Sequence, residues 1–529
     1  MGSVEVLQDI MTEAEVVMSR TEVLVVGAGP VGLALAAELA RRGVHPRIID
    51  QSIGPSITSK AIAIQPRTLE IFRRLGIVDE VLARGYVVGA GNFYSKGRTL
   101  ARVEFGQLDS PYGFIVDLPQ NETEEILLEH LARHGIAVER GTRLLRLEQN
   151  DDVVTVGVAG PNGIETTLAN YVVGCDGAHS TVRHALDLKV AISPDEQQLL
   201  LADMTIDWIY PHELHVFLHD EGFVSCFPLP GGRYRFIADV TDQETPGADR
   251  QPIATPGRIR EIVRRRVDAD ATLSEPTWLA GFRIRHQIAR EYGKGRVFVA
   301  GDAAHVPSPA GGQGMNTGIQ DATNLAWKIQ LSLRGQAANG LLESYSDERE
   351  PIGRDMVELS DQWTSAEVPP ACGADLVRQI SEIGINYRNS PIVAEDWNGE
   401  GGPHCGDRAP LIRELNGAGH SLLLFTGENP DLAALGAIAE EMPKGVVCTH
   451  LIATSPVEWD GSQIHDGDRA IHGRYGAQSS CLYLIRPDGY IAYRASEPDA
   501  DRTAAYMSKV FGETSVPSHC DEVRTEWTR

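Results

Sequence analysis

The chain has 529 residues, 42% of them hydrophobic and 23% charged, which is typical of a globular protein long enough for two to four domains. The formal net charge of −25, from 48 basic and 73 acidic residues, argues against a nucleic-acid partner and against an anionic membrane surface, since both need clustered Lys and Arg. No stretch approaches the roughly 20 apolar residues of a membrane span.

The chain start and the cysteines favour a cytoplasmic protein. Residues 1–20 are acidic where a secretory signal is basic, so we expect a flexible leader there. The seven cysteines form no C-x-x-C pair and show no zinc spacing. This pattern indicates reduced thiols and no metal site.

The segment EVLVVGAGPVGLALAAELARRGVHPRIID (22–50) predicts a strand–helix–strand unit. Its apolar start fits a buried parallel strand, and Gly27, Gly29 and Gly32 form G-x-G-x-x-G directly afterwards. The glycines allow a tight turn and the close approach of a pyrophosphate to the helix N-terminus. Asp50 ends the second strand, where a carboxylate accepts ribose hydroxyls. The unit predicts dinucleotide binding and leaves NAD and FAD open.

A second motif, VVGCDGAHSTVR (172–183), is the end of a strand followed by the turn Asp176-Gly177. Taken alone, it fits any strand-to-loop turn. The next segment has a different texture, because residues 213–240 alternate between apolar and polar and carry turn signals at 220–222 and 230–232. These are the marks of antiparallel hairpins.

A third motif, GDAAHVPSPAGGQGMN (301–316), has four glycines and two prolines in sixteen residues. It follows an apolar strand and precedes a predicted helix that starts at Thr317. Small residues here would admit a flat ring, with a carbonyl oxygen on the free N–H groups of the helix end. Asp302 would accept hydrogen bonds from sugar-alcohol hydroxyls. We expect His305 to pack beneath the loop, bonded to the backbone, rather than to act as a base.

Residues 366–408 are rich in Pro, Gly and polar residues and predict a linker. Strand-like runs at 421–427, 445–453 and 481–494, with a helical stretch at 431–441, suit a thioredoxin-like module. A redox role would need C-x-x-C, which the sequence lacks. We therefore expect a structural role or a dimer surface.

The motifs GAGPVG, GCDGAHS and GDAAHVPSPAGGQGMN, in this order, resemble the three fingerprints of single-component FAD-dependent aromatic hydroxylases, whose archetype is para-hydroxybenzoate hydroxylase. The chain is most similar to the branch with phenol and pentachlorophenol hydroxylases and aromatic polyketide hydroxylases. Intervening segments such as DLPQNETEEILLEHL (117–131) and YSDEREPIG (345–353) also fit, so the resemblance spans about residues 21–495.

The resemblance implies an α/β fold in which a Rossmann-like FAD-binding domain is interleaved with an antiparallel-sheet substrate domain and followed by a thioredoxin-like domain. The implied divisions are a leader at 1–20, the FAD-binding domain at 21–190 and 281–365 with inserted strands near 86–118, the substrate domain at 191–280, the linker at 366–408 and the last domain at 409–529.

The resemblance also implies the cofactor contacts. Gly27, Gly29 and Gly32 would meet the pyrophosphate, while Asp176 and Arg183 match a motif that serves FAD and NADPH. Lysine at position 60 replaces the arginine of most relatives and makes a point contact rather than a fork. The implied FAD contacts are Gly27, Gly29, Pro30, Gly32, Asp50 (adenosine ribose), Lys60, Gln120, Asp176, Arg183, Asp302 (ribityl chain), Pro309 (reactive edge), Gly312, and Gly314, Met315 and Asn316 (pyrimidine edge).

In such a fold, strands of the substrate sheet lie over the flavin ring and line the substrate pocket. The pocket candidates are His215, Phe223, Ser225, Phe227 and Arg233, about half of which must face away because strand residues alternate. Residues 53–67 contain no Asp, Glu, His or Tyr. The catalytic base therefore stays unassigned, with Pro309, His215 and Arg233 as the remaining candidates for catalytic roles.

The implied reaction is a monooxygenation: NADPH or NADH reduces FAD, O₂ adds to give a flavin C4a-hydroperoxide, and one oxygen passes to a phenolic or polycyclic aromatic substrate. The expected partners are a small aromatic substrate and O₂, for a monomer or a homodimer. Alternatives are a flavin Baeyer–Villiger oxygenase and a non-catalytic flavin-binding scaffold. A flavin halogenase is disfavoured because Trp208 stands without the second tryptophan of the halogenase signature W-x-W-x-I-P.

Overall fold

The computed structural model describes residues 18–56, 59, 61–240, 254–267, 270–308, 312–364, 374–415 and 417–512. Within these residues the strands form four sheets. The helices are α1 Pro30–Ala40, α2 Pro66–Leu75, α3 Val78–Arg84, α4 Gln120–Arg133, α5 Thr181–Ala185, α6 Pro256–Arg266, α7 Gly314–Leu333, α8 Ser344–Thr364, α9 Ala374–Ile380, α10 Leu432–Glu441, α11 Ala470–Tyr475 and α12 Ala500–Val510.

The first sheet has a parallel core in the order β19-β11-β1-β2-β8. The carboxyl-terminal halves of its central strands β1 and β11 are buried apolar runs, as in doubly wound folds. The first strand starts at Met18, so the last three residues of the expected leader belong to the sheet. The strands are β1 Met18–Val26, β2 Arg47–Asp50, β8 Val138–Arg140, β9 Arg143–Gln149, β10 Val154–Gly160, β11 Gly163–Gly174, β18 Gly293–Lys294 and β19 Val297–Val299.

The parallel register brings the three glycine motifs together. Val26 of β1 pairs with Gly174 of β11, and Gly174 pairs with Val299 of β19. On the other side, Val26 pairs with Ile49, the residue before Asp50. The loops after these strands therefore leave the same edge of the sheet side by side, although they lie far apart in the sequence.

The second sheet is mostly antiparallel, in the order β20-β17-β12-β15-β14-β13-β5-β6. It extends to Ala289, beyond the boundary at 280 that the sequence suggested, because β17 is twelve residues long and pairs along most of β12. Its strands are β5 Ala90–Ser95, β6 Arg98–Glu104, β12 Val190–Asp207, β13 Leu214–His219, β14 Gly222–Leu229, β15 Arg233–Val240, β16 Thr272–Leu273, β17 Trp278–Ala289 and β20 His305–Val306.

A small sheet joins the two large ones. Its order is β3-β7-β4, with strands β3 Ala63–Ile64, β4 Tyr86–Val88 and β7 Ile115–Asp117. Helix α7 begins at Gly314, three residues before the start that the sequence predicts, with Gln313 as its N-cap. The glycine motif therefore runs directly into the first turn of this helix.

The fourth sheet contains the C-terminal strands in the order β21-β26-β25-β22-β23-β24. The segment predicted as a linker is ordered over much of its length, because its residues 374–408 contain α9 and β21 and an ion pair between Arg388 and Asp407 at 2.7 Å. The strands are β21 Ala394–Asp396, β22 His420–Phe425, β23 Val447–Ala453, β24 Ser462–His465, β25 Cys481–Ile485 and β26 Ile491–Ala495.

A buried ion cluster fixes the C-terminal unit to helices α7 and α8. Arg486 donates both guanidinium nitrogens to the carboxylate of Glu348, at 2.6 and 2.8 Å, and also binds Asp488. Lys328 donates to Oε2 of Glu348, at 2.8 Å, and this oxygen also accepts the second Arg486 bond. These side chains are almost fully buried, so the contact is a specific joint rather than a screened surface pair.

Candidate active site

The first glycine loop packs against the loop after β11. Gly27 has φ +103°, and a Cβ placed on it would lie 2.4 Å from the Cys175 carbonyl oxygen. The Gly27 N–H donates to the Ile49 carbonyl at 2.8 Å, and the Cys175 N–H donates to the Val26 carbonyl at 2.7 Å. Only glycine fits here, for reasons of both backbone conformation and space.

The other two glycines of the motif act differently. A Cβ on Gly32 would lie 2.0 Å from the Gly27 carbonyl oxygen, so Gly32 serves the packing of the helix on its own loop. A Cβ on Gly29 would meet nothing within 4 Å, because Gly29 faces an open cavity. Pro30, at the first position of α1, has no N–H to leave unsatisfied.

Asp50 lies at the mouth of a cavity of about 540 Å³ next to this loop. Its carboxylate accepts the Ala28 N–H at 2.7 Å and the Ser52 N–H at 2.7 Å. Asp176 lines the same cavity and caps the start of α5, accepting the Thr181 N–H at 2.6 Å. Both acids therefore shape the cavity wall while their remaining lone pairs stay available to a ligand.

Arg183, expected among the FAD contacts, points away from the cavities. Its guanidinium turns inward and donates to the carbonyl oxygens of Ala303, at 2.9 Å, and Ala178, at 2.7 Å. Burial lowers its pKa, which the charge of Asp176 partly opposes. Arg183 thus ties the second motif to the third and does not line either cavity beside the glycine loop. The reason is its place on a single-turn helix that faces the protein interior.

A second cavity, of about 350 Å³, continues from the first and shares Gly29, Cys175 and Gly177 with it. Asp302 is the exposed acid of its lining. Together the two cavities form an elongated groove across the carboxyl edge of the parallel sheet, where dinucleotides bind in such folds. The groove fits FAD, since glycine backbone borders its middle and carboxylates stand where ribose and ribityl hydroxyls would lie.

The first turn of α7 closes one end of this second cavity. Gly312, with φ +63°, Gly314 and Met315 line it. Asn316 lies behind them and holds the loop, because its amide donates to the carbonyls of Ala63 and Gly312, each at 2.8 Å. The helix presents first-turn N–H groups that have no acceptor within the helix.

Gln120 lies on the opposite wall of the second cavity. Its amide oxygen accepts the Ala61 N–H at 3.2 Å, and its amide nitrogen donates to Glu124 at 2.8 Å. The Gln120 N–H also meets the hydroxyl of Ser59, at 2.9 Å. Two expected flavin contacts, Lys60 and Pro309, lie outside the described residues.

The second sheet supplies an apolar wall to the same cavity, made by Phe227, Ile237, Phe282 and Ile284. Phe223 and Ser225 project from β14 on the same side as Phe227 but are not among the residues that line the cavity, although Ser225 pairs with Ile237. The Ser225 hydroxyl is buried and has no hydrogen-bond partner among the described residues.

Two of the pocket candidates, His215 and Arg233, are not among the residues that line this cavity. His215 projects to the opposite side of the sheet, where its Nε2 donates to the Pro211 carbonyl at 2.8 Å and its Nδ1 bonds to the Tyr94 hydroxyl at 3.3 Å. It packs there with Trp208, because strand alternation places it opposite the cavity side. Arg233 lies at the start of β15, where its Nε donates to the Pro230 carbonyl at 3.3 Å.

Two buried clusters support the site and were not predicted from the sequence. His305 bonds to Asp321 at 2.7 Å, instead of to the backbone, and Arg349 holds the other oxygen of Asp321 at 2.6 Å. Burial would raise the pKa of Asp321, but Arg349 and His305 outweigh it and the pKa lies below its usual value. The Asp321 carboxylate also accepts the Gly301 N–H at 3.0 Å, which fixes the backbone beside Asp302.

In the second cluster, Arg235 joins the second sheet to the segment before β3. It forks onto Asp203, at 2.6 and 2.8 Å, and donates to the carbonyl and hydroxyl of Ser59. Its guanidinium also stacks over Trp278, 4.7 Å from the ring centroid. An arginine in a strand whose neighbours are apolar is the signal that could have indicated this role.

Comparisons with known proteins agree with this geometry. The family model described as FAD binding domain matches residues 20–360. The 6-methylpretetramide 4-monooxygenase of Streptomyces rimosus is 34% identical over 89% of this chain and 90% of its own length. The pentachlorophenol 4-monooxygenase of Sphingobium chlorophenolicum is 34% identical over 73% of this chain and 75% of its own length. The structure of aklavinone-11 hydroxylase with FAD and aklavinone matches with a TM-score of 0.74 and 28% identity, over 94% of this chain and 99% of that one.

Proposed function

Because the chain belongs to the FAD binding domain family and is a flavin-dependent monooxygenase, we propose that it hydroxylates a polycyclic aromatic phenol. The observation that carries this proposal is the apolar wall of Phe227, Ile237, Phe282 and Ile284, which is continuous with the groove that fits FAD. Relatives that cover nearly the whole chain are named for polycyclic substrates, namely 6-methylpretetramide and aklavinone. Such substrates are flat and apolar, as the wall requires.

FAD held in this groove would supply the redox chemistry, with NADPH or NADH as the reductant and O₂ as the source of the transferred oxygen atom. We propose that the glycine loop and the start of α1 bind the pyrophosphate of FAD, while Asp50 and Asp302 bind its ribose and ribityl hydroxyls. Residues Gly314–Asn316 would offer the first-turn N–H groups of α7 to the pyrimidine edge and stabilise negative charge there. The apolar wall would orient the aromatic ring and exclude water.

The proposal is tested by NADPH consumption in air across a panel of single-ring and polycyclic phenols, with mass analysis of each product. We expect a polycyclic phenol to accelerate NADPH oxidation and to gain one oxygen atom. Insertion of that oxygen into a ring bond would instead show a Baeyer–Villiger oxygenase. A protein that binds FAD but responds only to single-ring phenols would contradict the proposed substrate class.

Asp302→Asn gives a matched test of cofactor binding. We expect it to weaken FAD binding by about tenfold, since a neutral amide forms weaker hydrogen bonds to hydroxyls than a carboxylate does. Asp187→Asn, a change at another exposed acid, should leave FAD binding unchanged. FAD binding can be followed by the quenching of flavin fluorescence. Equal affinities in both variants would exclude Asp302 as a FAD contact.

We further propose that residues 409–512 form a thioredoxin-like unit with a structural role. In support, β22 lies between parallel β23 and antiparallel β25 in a mixed sheet. The cysteines of this unit, Cys448 and Cys481, are free thiols in different strands, which does not suit dithiol chemistry. A cytoplasmic location and a monomeric or homodimeric state complete the proposal. No helix among the described ranges is long and apolar enough to cross a membrane.

A further inference from the structure

Glu382 combines two unfavourable features at one position. It is only 3% exposed, and burial disfavours a carboxylate. Its φ of +59° lies in the left-handed region, which is sterically unfavourable for a residue with a Cβ. Strain of this kind persists where the surrounding structure imposes it, and functional sites are where it is most often found.

Among the described residues, the side-chain hydrogen bonds of Glu382 go to the first turns of α7. The Thr317 hydroxyl donates to one carboxyl oxygen at 3.1 Å, and the Gln320 amide donates to the other. Helix α9 directly precedes Glu382 in the chain. Gln313, the N-cap of α7, donates to the Gln379 carbonyl of α9 at 3.1 Å. Glu382 therefore lies behind the same helix end whose front, at Gly314 and Met315, lines the flavin cavity.

Burial raises the pKa of Glu382 to about 8, although the Thr317 hydrogen bond and the positive charge of Arg349 oppose the rise. The acid therefore keeps its proton at neutral pH and ionises in mildly alkaline solution. Charged groups face it from each helix packed around it. These are Asp321 on α7, Arg349 and Asp355 on α8, and Asp375 and Arg378 on α9, of which Asp321 and Arg349 are paired with each other.

We propose that Glu382 sets the electron affinity of bound FAD through the end of α7. The neutral acid leaves the positive end of the helix to the reduced flavin, whereas the carboxylate would place a negative charge behind that end and oppose the flavin anion. The inference rests on the proposed position of the pyrimidine edge at Gly314–Asn316. Glu382 is thus a positioning residue for charge rather than a catalytic group.

Reduction of FAD and protonation of Glu382 are coupled through a defined number of protons. Reduction of FAD to its anion takes two electrons and one proton, which goes to the flavin. Where Glu382 is ionised before reduction and protonated after it, a second proton goes to the Glu382 carboxylate. Linkage then requires the reduction potential to fall more steeply with pH near the Glu382 transition than one proton per two electrons allows.

The experiment is an equilibrium reductive titration of the FAD-loaded protein against reference dyes between about pH 7 and 9.5, the range around the Glu382 transition. We expect the wild-type protein to take up more than one proton per two electrons near pH 8. Glu382→Gln removes the titration and keeps the size of the side chain and one acceptor oxygen, and Glu382→Gly suits the left-handed backbone as well. Both variants should take up one proton throughout. At the alkaline end, their ratio of reduced to oxidised flavin at a fixed potential should exceed the wild-type ratio by about tenfold.

Asp355→Asn is the control, because Asp355 is an exposed acid in the same cavity of about 320 Å³ as Glu382, and it should keep the wild-type slope. A wild-type slope of one proton per two electrons across this range overturns the inference even if neither variant folds. Variants that keep the steep slope also overturn it. A colourless protein without bound FAD would instead contradict the proposed function, so the two failures are distinguishable.

Discussion

Gly27 lies so close to Cys175 that a Cβ on the glycine would stand 2.4 Å from the cysteine carbonyl oxygen. This contact joins the first glycine loop to the loop after β11, 148 residues later in the sequence. It follows from the parallel pairing of β1 with β11, which ends both strands at the same edge. The register of the sheet, rather than contacts between side chains, thus positions the loops that border the cofactor groove.

Two glycines of this loop should separate folding from cofactor binding. Gly32→Ala would place a methyl group 2.0 Å from the Gly27 carbonyl oxygen, so we expect a loss of about 3 kcal/mol or more in the free energy of unfolding. Gly29→Ala meets nothing within 4 Å and should change that stability by less than about 1 kcal/mol.

Gly29→Ala should affect FAD binding much more than stability. Its methyl group would enter the groove where the pyrophosphate must approach the backbone. We expect at least about a tenfold loss of FAD affinity, which corresponds to about 1.4 kcal/mol. Urea denaturation of the apoprotein and flavin fluorescence measure the two effects separately. Normal FAD affinity in a stable Gly29→Ala protein would contradict the position of the groove.

The substrate wall allows a test with two phenylalanines of one sheet. Phe227 lines the cavity, whereas Phe217 on β13 faces the opposite apolar cluster. Phe227→Leu should raise the KM for the aromatic substrate and uncouple NADPH oxidation from product formation, because the ring is held less firmly against the flavin. Phe217→Leu should cost about 1 kcal/mol of stability and leave KM and coupling unchanged. Steady-state kinetics with product quantification decides between the two patterns, and equal effects would contradict this assignment of faces.

The motifs predict the cofactor site because each of them is local. A strand, a glycine turn and a following helix or acid lie within about 30 residues, as the βαβ unit requires, and the sheet register then brings the three motifs together. The faces of the substrate strands were harder to predict. The sequence alone did not place His215 on the side away from the cavity, because alternation fixes which residues share a side, but not which side faces the cavity.

Contacts between distant segments could not be predicted from one sequence. Arg235 binds Ser59, 176 residues away, and Arg486 binds Glu348, 138 residues away. Both arginines look like surface residues until the packing of three sheets buries them. The start of α7 was missed for a local reason, because a glycine-rich segment has low helix propensity and only the fold imposes the first turn.

The ion cluster between α8 and the C-terminal unit should be important for stability. Arg486→Met leaves Glu348 buried with Lys328 as its remaining cation, so we expect a loss of about 3–5 kcal/mol in the free energy of unfolding. The double variant Arg486→Met/Glu348→Gln should lose less than the single one, because the Glu348 carboxylate is then no longer left without its main partner, while Asp488 loses Arg486 in both variants. Chemical denaturation measures both losses.

An exposed ion pair provides the control for this cluster. Arg502 binds Asp396 at 2.9 Å, with side chains 57% and 32% exposed. Arg502→Met should therefore cost less than about 1 kcal/mol. A comparable loss in Arg502→Met and Arg486→Met would show that burial does not set the strength of the joint.

Substitution of Asp117 should stabilise the protein by an amount that depends on pH. This side chain is 1% exposed, and neither carboxyl oxygen has a hydrogen-bond partner among the described residues. Burial raises its pKa well above the usual value, although the charge of Arg235 opposes the rise. A raised pKa in the folded state means that the folded protein holds a proton which the unfolded chain releases. Stability attributable to Asp117 therefore falls as pH rises above the unfolded value of about 4.

Asp117→Asn removes this titration and keeps the shape of the side chain. We expect the variant to be more stable than the wild-type protein at pH 7 to 8, by about 1 kcal/mol or more, and equally stable at about pH 3 or below, where the wild-type acid is protonated in both states. Thermal unfolding of the two proteins across this pH range provides the measurement. A variant that is less stable at pH 7, or a gain that does not change with pH, would show that Asp117 is ionised and paired in the folded protein.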